Sequence, residues 1–462
     1  MARAARTIFL ISLGCAKNRV DSEVMLGMAR QAGHRIVADP SAAEVIVVNT
    51  CAFIGDAKKE SIDAILEMAT YKKAGSCKRL IVTGCLSQRH RQELARELPE
   101  VDHFLGTGDV PRLGSVLEGR APRLCIGPVA GWLMTSSAPR VLTTRKASAY
   151  VKIAEGCSRT CSFCVIPALR GPQRSRPADD VVREVERLAA GGVLEVNLVS
   201  QDTIAYGRDL GAGYRCDLAA LVRRAADVPG IAWVRLLYLY PESMTRAMLE
   251  LLGQHPRVVP YVDMPLQHAA DAMLRRMRRG HGRGRLRALV ERMRRHVPDL
   301  VLRTSFVVGH PGETEREFAE LCDFVRWARF DRLAAFRYSD EEGTPSHAMQ
   351  GKVPARIAAA RYGKLLEIQR TISRENNRRL VGSRLDVLVE GPSDEHEWVL
   401  MGRHRGQAPE IDGQVYLSGA EAAPGSMLEV EITQASDYDL VGEPVEPPSR
   451  APRRRVSLRV LR

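Results

Sequence analysis

The sequence predicts an α/β chain in three parts. These are an N-terminal parallel sheet of three βα units, a central partial (βα)6 barrel of the TIM type, and a small C-terminal antiparallel β-barrel. Three observations carry this expectation. Three short apolar runs, each closed by a cysteine, recur at nearly equal spacing through the first hundred residues. Six more apolar runs alternate with helical stretches from Ala149 onward. After Gly382 the pattern changes to short alternating runs broken by Gly and Asp. Strands alternating with helices imply a parallel sheet covered by helices, and short, evenly spaced strands imply a barrel. The 462 residues are 45% hydrophobic and 27% charged, which suits a globular chain of several domains and excludes wholesale disorder or a small disulfide-stapled fold. No apolar run approaches the roughly 18–20 residues of a membrane span, which excludes an integral membrane protein.

The N-terminal domain is expected over residues 1–120. Its first run, Ile8–Leu13, leads to Cys15; Val45–Val48 leads to Asn49, Thr50 and Cys51; Leu80–Val82 leads to Thr83, Gly84 and Cys85. The cysteines stand 36 and 34 residues apart. Helical stretches follow at Val20–Ala32, Lys58–Thr70 and Arg89–Leu98. The same residue type therefore falls just past the carboxyl end of three successive strands, the edge at which open α/β sheets bind ligands. Two arginines ahead of the first run give a superficial likeness to a lipoprotein signal. The run is short for one, and Ser12 and Leu13 fit a lipid-attachment box poorly. A buried first strand is expected instead, in a cytoplasmic protein whose ten cysteines stay reduced.

Residues 121–144, rich in Gly, Pro, Ala and Ser, read as a linker. The second domain is expected over 145–378, with strands at Ala149–Ala154, Val193–Leu198, Trp233–Leu237, Tyr261–Met264, Leu302–Val307 and Arg332–Phe336. Helix Pro354–Arg379 closes it. The C-terminal barrel is expected over 379–446, with strands at Leu385–Val389, Val415–Leu417 and Met427–Ile432. Residues 447–462 hold six arginines and no acid, and read as a basic tail.

Cys157, Cys161 and Cys164 form a C-x3-C-x2-C cluster just after the first expected barrel strand. Three thiolates within eight residues can wrap one soft-metal centre. Zinc needs a fourth ligand, and no fourth Cys or His is near in sequence. A 4Fe–4S cluster on three cysteines leaves one iron open for a substrate. This spacing in this place is the radical S-adenosylmethionine (SAM) signature. Cys15, Cys51 and Cys85 form a second trio, because adjacent parallel strands lie about 5 Å apart. Again there are three ligands, which points to a second open-iron cluster. Cys77, Cys125, Cys216 and Cys322 share no spacing and read as structural thiols.

The segments Leu13–Glu23 (Leu-Gly-Cys-Ala-Lys-Asn-Arg-Val-Asp-Ser-Glu), Val48–Cys51 and Val82–Cys85, followed by the second triad, resemble the radical-SAM methylthiotransferase family. The resemblance runs from about Thr7 to Pro444. It implies a methylthiotransferase domain, a radical-SAM barrel and a C-terminal TRAM barrel. Gln201–Gly207, Leu237–Pro241 and Asp263–Ala269 resemble the branch that modifies an aspartate of ribosomal protein S12. The tRNA-adenosine (MiaB-type) branch, the alternative reading, typically has Gly-Gln-Asn and Pro-Val-Gln-Ser-Gly at the corresponding places. One departure is His310, where Phe is usual; it keeps a flat ring.

The resemblance implies two 4Fe–4S clusters and SAM as cofactors. SAM at the open iron of the Cys157 cluster would give a deoxyadenosyl radical that takes hydrogen from the aspartate β-carbon. The Cys15 cluster would present sulfur, which a second SAM methylates before its transfer. The implied partners are S12, free or in the small subunit, an electron donor and a sulfur source, with no membrane and nucleic acid at most through ribosomal RNA. Phe163 occupies the position that often lies against adenine. Gly191 and Gly192 fall where backbone is usually offered to the SAM amine, and read equally as a helix C-cap. Gln201, Gln267 and Arg303, near strand ends, read as hydrogen-bonding SAM or the substrate carboxylate; for Arg303 a structural ion pair stands beside that reading. Lys17, Asn18 and Asp21 read as shaping the loop over the first cysteine.

The charge pattern bears on the partner. The whole chain is +13, yet Leu380–Glu446 carries three arginines against fourteen acids, a net −11. Such a barrel would repel tRNA phosphates and attract a basic protein, or is simply a solvated acidic surface. Arg275–Arg295 is basic, with ten arginines; it reads as contacting ribosomal RNA or as the outer face of barrel helices. A non-catalytic Fe–S protein is the remaining class, and would show two clusters but no SAM cleavage.

Overall fold

The computed structural model of the chain describes residues 5–211, 213–242, 244–393 and 398–445. The expected basic tail at 447–462 lies outside them. The first sheet has six parallel strands in the order Arg35–Ile36, Thr7–Ser12, Val45–Thr50, Arg79–Gly84, His103–Leu105 and Leu124–Cys125. The three expected strands lie side by side within it. The added strands are two or three residues long, too short for any period to show. The register pairs Ser12 with Asn49 and Asn49 with Thr83, so the three chains leave the sheet level with one another.

The stretch expected as a linker is structure instead. Leu124–Cys125 extends the first sheet. Residues 136–144 form a strap on helix Ala16–Gln31, where a Cβ on Gly27 would come within 2.3 Å of the Pro139 carbonyl. Arg140 in this strap is buried between Glu23 and Glu184. The strap is held by these contacts.

The central sheet also has six parallel strands, in strict chain order: Ser148–Lys152, Glu195–Val199, Trp233–Leu236, Val258–Asp263, Val301–Val308 and Arg332–Arg337. Alternate residues face opposite ways. Ala149, Val151, Val196, Leu198, Val234 and Leu302 pack under the helices in the largest core. The opposite face carries Tyr150, Lys152, Glu195, Arg235, Tyr261, Asp263 and Arg303, a charged lumen.

The last five strands close a barrel, antiparallel except where Val415–Leu417 runs parallel to Leu440–Pro444. Its loop 405–412 fills the lumen of the central sheet. Arg235 donates to the Arg405 carbonyl at 2.9 Å, the Tyr150 hydroxyl to the Pro409 carbonyl at 3.2 Å, and the Tyr261 hydroxyl to Asp412 at 2.7 Å. At the loop's far end Glu410 reaches Arg19 of the first domain at 3.0 Å. Buried Glu195 pairs with Arg235 at 3.0 Å and with Arg403, and Arg403 also pairs with Glu390 at 2.7 Å. Three of the barrel's acids, Glu390, Glu410 and Asp412, are therefore used inside the molecule. The basic helix Arg283–His296 packs Leu286, Leu289, Val290 and Met293 inward and turns most of its arginines out, as an outer barrel helix does.

Candidate active site

Both cysteine trios lie at carboxyl edges of parallel strands. Cys15 caps helix Ala16–Gln31, Cys51 follows Val45–Thr50, and Cys85 follows Arg79–Gly84. A Cβ on Gly14, at φ +87, would lie 2.8 Å from the Cys51 Cβ and 3.0 Å from its sulfur, so the Cys15 loop rests directly on Cys51. Asn18 knits the three loops together. Its amide donates to the Leu13 and Thr50 carbonyls, each at 2.9 Å, and its Oδ1 lies 4.0 Å from the Cys85 sulfur. Burial, with Cys15 and Cys51 beside it, pushes the Cys85 thiol up to about 12. Burial also raises Cys51. It acts the same way on Cys15, but Lys17 and Arg170 pull that thiol below its ordinary value.

Cys157, Cys161 and Cys164 form the second set, on the loop after strand Ser148–Lys152. Arg279 donates to the Cys161 sulfur at 3.3 Å, and the Arg159 backbone N–H to the Cys157 sulfur at 3.5 Å. Burial and the neighbouring thiols push Cys164 up to about 12; burial raises Cys157 to about 11. Among the described residues no group of three Cys, His, Asp or Glu closes to hold a single metal ion. Each set offers three cysteines, the donor number that a four-iron cluster with one open iron takes. Arg159 and Arg279 lie beside one set and Arg170 beside the other, each a positive charge at its cysteines.

A buried ionic bridge joins the two sets. Lys152 binds Asp21 and, at 2.6 Å, Glu155. Arg170 binds Asp21 at 3.1 Å and Glu155 at 2.8 Å, and its other nitrogen donates to Asn18. Asp21 belongs to the helix after Cys15, and Glu155 precedes Cys157 by two residues. Burial pushes the Glu155 carboxyl up, but Arg170 and Lys152 prevail and hold it well below the usual range. Sequence reasoning missed Lys152, Glu155 and Arg170, because long-range charge pairing leaves no local pattern.

The other expected site residues divide. Gln201 stands at the carboxyl end of the second barrel strand and donates to Glu155 at 3.0 Å; its Oε1 and the neighbouring Asp202 Oδ1 are buried without partners. Two orphaned acceptors beside the Cys157 loop fit the ammonium of SAM. Asp202 is otherwise held by Arg159 at 2.6 Å. Phe163 is half-buried and packs on the apolar cluster of Ala270, Met273, Met277 and Val307, as does Tyr338. His310 meets it edge-on at 6.5 Å and meets Tyr338 at 5.2 Å. Gln267 has φ +72 and pairs its backbone with Ser305 and Val307. The same loop is tied to the Cys157 set by Arg279, which also donates to the Pro265 carbonyl at 2.8 Å.

Arg303 is an ion-pair residue. It binds Asp263 at 2.7 Å and lies 3.7 Å from Asp412 of the C-terminal barrel, so it anchors the lumen loop. Gly191 and Gly192 are corrected more sharply. They end helix Ala178–Ala190 through bonds to Arg187, Leu188 and Ala189, and lead into the amino end of strand Glu195–Val199. The cysteines lie at the opposite end, so the glycines are a C-cap and do not line the site. Cys77, Cys125 and Cys322 are buried in cores and Cys216 is half-buried, all apart from both trios.

Residues 7–106 match the Uncharacterized protein family UPF0004, 151–325 the Radical SAM superfamily, and 381–445 the TRAM domain. The chain is 65% identical to the ribosomal protein uS12 methylthiotransferase RimO of Sorangium cellulosum, over 99% of this chain and 98% of that protein. It is 49% identical to the protein of the same name in Myxococcus xanthus, over 96% and 92%. In fold it is similar to the radical S-adenosylmethionine methyltransferase TsrM from Kitasatospora setae, with TM-score 0.54 at 15% identity over 83% of this chain and 81% of that one. The two thiol trios thus sit in a chain that belongs to the RimO family of ribosomal protein uS12 methylthiotransferases.

Proposed function

We propose that this chain replaces one hydrogen on the β-carbon of an aspartate of ribosomal protein S12 by a methylthio group. The observation that carries the reading is the pair of three-thiol sites at the carboxyl edges of two parallel sheets, joined by the buried bridge of Asp21, Lys152, Glu155 and Arg170. Family membership supplies the substrate. Cys157, Cys161 and Cys164 would hold one 4Fe–4S cluster, and Cys15, Cys51 and Cys85 the other. When bound, the clusters and SAM supply the electron, the radical and the methylthio group that functionalising an unactivated carbon requires.

The chain's own side chains position these groups. Arg279 and the Arg159 N–H hold the sulfurs of Cys161 and Cys157. Gln201 and Asp202 offer their free acceptors to the SAM ammonium, and Phe163 a wall to its adenine. The ionic bridge fixes the separation that one substrate carbon must span.

The partner fits the outer face of the C-terminal barrel. Exposed Asp386 lies opposite exposed Glu429, and exposed Glu431 lies between exposed Glu443 on one side and Arg384 on the other. Like charges across a strand pair cost stability, and a basic protein docked there would relieve it. The same face would repel tRNA phosphates. We place the enzyme in the cytoplasm with the ribosome, taking electrons from a donor and sulfur from a separate source. Among the described residues no helix is long and apolar enough to cross a membrane.

The test is the intact mass of S12 from cells with and without this gene. A gain matching one hydrogen replaced by a methylthio group, present only with the gene and localised to an aspartate, is expected. An unchanged S12 mass, with a tRNA nucleoside lost instead, overturns the reading.

A further inference from the structure

Lys17 lies in the first turn of helix Ala16–Gln31, two residues after Cys15. The residue is 7% exposed, and its ammonium sits 3.4 Å from the centre of the Tyr238 ring. Nearby buried cations all have carboxylates: Lys152 and Arg170 each bind Asp21 and Glu155, and Arg303 binds Asp263. Lys17 has neither a hydrogen bond nor a carboxylate within ion-pair distance among the described residues. A buried ammonium that rests on an aromatic face and touches no carboxylate is costly.

Tyr238 is held at some cost too. It has φ +62, a left-handed conformation unusual for a bulky residue. Its N–H is fixed by Asp263 at 3.0 Å and its carbonyl by the Thr203 N–H at 3.1 Å. Lys17 follows Cys15 by two residues, while Tyr238 stands just past the carboxyl end of strand Trp233–Leu236, at the sheet edge from which the Cys157 loop also leaves, so the ammonium lies between the first domain and the barrel. A carbon placed between the two cysteine sites would bring an attached carboxylate within reach of it.

We infer that Lys17 binds the side-chain carboxylate of the acidic substrate residue and sets the preference for aspartate over its amide. The inference rests on the function proposed above and names the residue that reads its substrate. The competing role for Lys17 is counter-ion to the cluster on Cys15.

The experiment measures binding of reconstituted holoenzyme to S12 and to S12 carrying asparagine at the modified position, with iron content alongside. Wild type is expected to favour the aspartate form by about ten-fold or more, the worth of one charge-assisted hydrogen bond. Lys17→Met should bind both forms equally with full iron, while Lys17→Arg should retain the preference. A preference that survives in Lys17→Met, or that is absent from wild type, overturns the inference. So does loss of iron from the Cys15 site in Lys17→Met, which would mark the lysine as the cluster's counter-ion. S12 modified in cells with the preference intact in Lys17→Met refutes this inference alone, whereas S12 never modified refutes the function beneath it.

Discussion

Arg170 donates to Glu155 at 2.8 Å, while its second terminal nitrogen donates to Asn18 beside Cys15. One guanidinium thus holds the approach to the second cysteine set and the cradle of the first. Arg170→Met would leave Glu155 and Asp21 facing Lys152 alone. Breaking a buried pair costs about 3–5 kcal/mol. Cluster-free Arg170→Met is expected to melt well below wild type. Arg170→Lys should recover only part of the loss, since an ammonium cannot span Glu155, Asp21 and Asn18 together. A melting temperature unchanged in Arg170→Met would show that the bridge is not structural.

Two glycines permit the cysteine loops. Gly84 has φ +96, and an added Cβ would meet Asn49 Oδ1 at 2.4 Å and the Thr50 carbonyl at 2.6 Å. Gly156 has φ +79, and its Cβ would meet the Pro172 carbonyl at 2.2 Å and the Gly171 carbonyl at 2.5 Å. Both obstacles include backbone, which cannot rotate away. Gly84→Ala is expected to lose iron from the Cys15 set only, and Gly156→Ala from the Cys157 set only. Site-resolved electron paramagnetic resonance after reconstitution separates the two, and full iron in either variant would contradict the geometry.

The docked C-terminal barrel should depend on acid. Burial pushes the Glu195 carboxyl up, but Arg403 and Arg235 overcome it and lower it from 4.5 to about 2. Its contribution is therefore full above the unfolded value near 4.5 and is lost as pH falls toward 2. Hydrogen exchange should show strand Leu400–His404 losing protection in that window. Glu195→Gln should loosen it already at neutral pH, by about 3–5 kcal/mol, because buried Arg235 loses its carboxylate and Arg403 keeps only Glu390. Equal protection in wild type and variant at pH 7 would count against this.

His310 stays neutral at physiological pH, because burial lowers it from 6.5 to about 4, with Arg276 adding to the effect. Its ring lies between Phe163 and Tyr338, and its nitrogens meet Ser162 at 3.3 Å and the Pro311 carbonyl at 3.1 Å. Between pH 4 and 6.5 the unfolded chain binds the extra proton, so stability rises with pH and is full above 6.5. His310→Phe keeps the ring and should cost about 1 kcal/mol for the lost hydrogen bonds. Its melting temperature should climb less steeply through that window than wild type's, and an identical slope would exclude the histidine as a source.

The legible parts of this chain are those written in short sequence. Cys15, Cys51 and Cys85 announce themselves because each closes an apolar run, and Cys157, Cys161 and Cys164 because they share one loop. The six central strands show as apolar runs, since their outward faces are buried under helices. Gly191 and Gly192 misled because a glycine pair marks a helix end whichever end of the sheet follows. The strand Leu124–Cys125 is too short to alternate, and the strap behind it has the composition of a linker while being held against the first helix. Lys152, Glu155 and Arg170 lie far in sequence from Asp21, and the lumen loop of Glu410 and Asp412 comes from another domain. Such partners are chosen by the fold, and no local pattern signals them.

The central claim is that each thiol trio holds its own cluster. Iron content and Mössbauer spectra of reconstituted wild type, of Cys15→Ala/Cys51→Ala/Cys85→Ala and of Cys157→Ala/Cys161→Ala/Cys164→Ala test it most directly. About eight irons per chain are predicted for wild type and about four for each triple variant. SAM cleavage should survive only where Cys157, Cys161 and Cys164 remain. Full iron in either variant, or about four irons in wild type, would contradict the account.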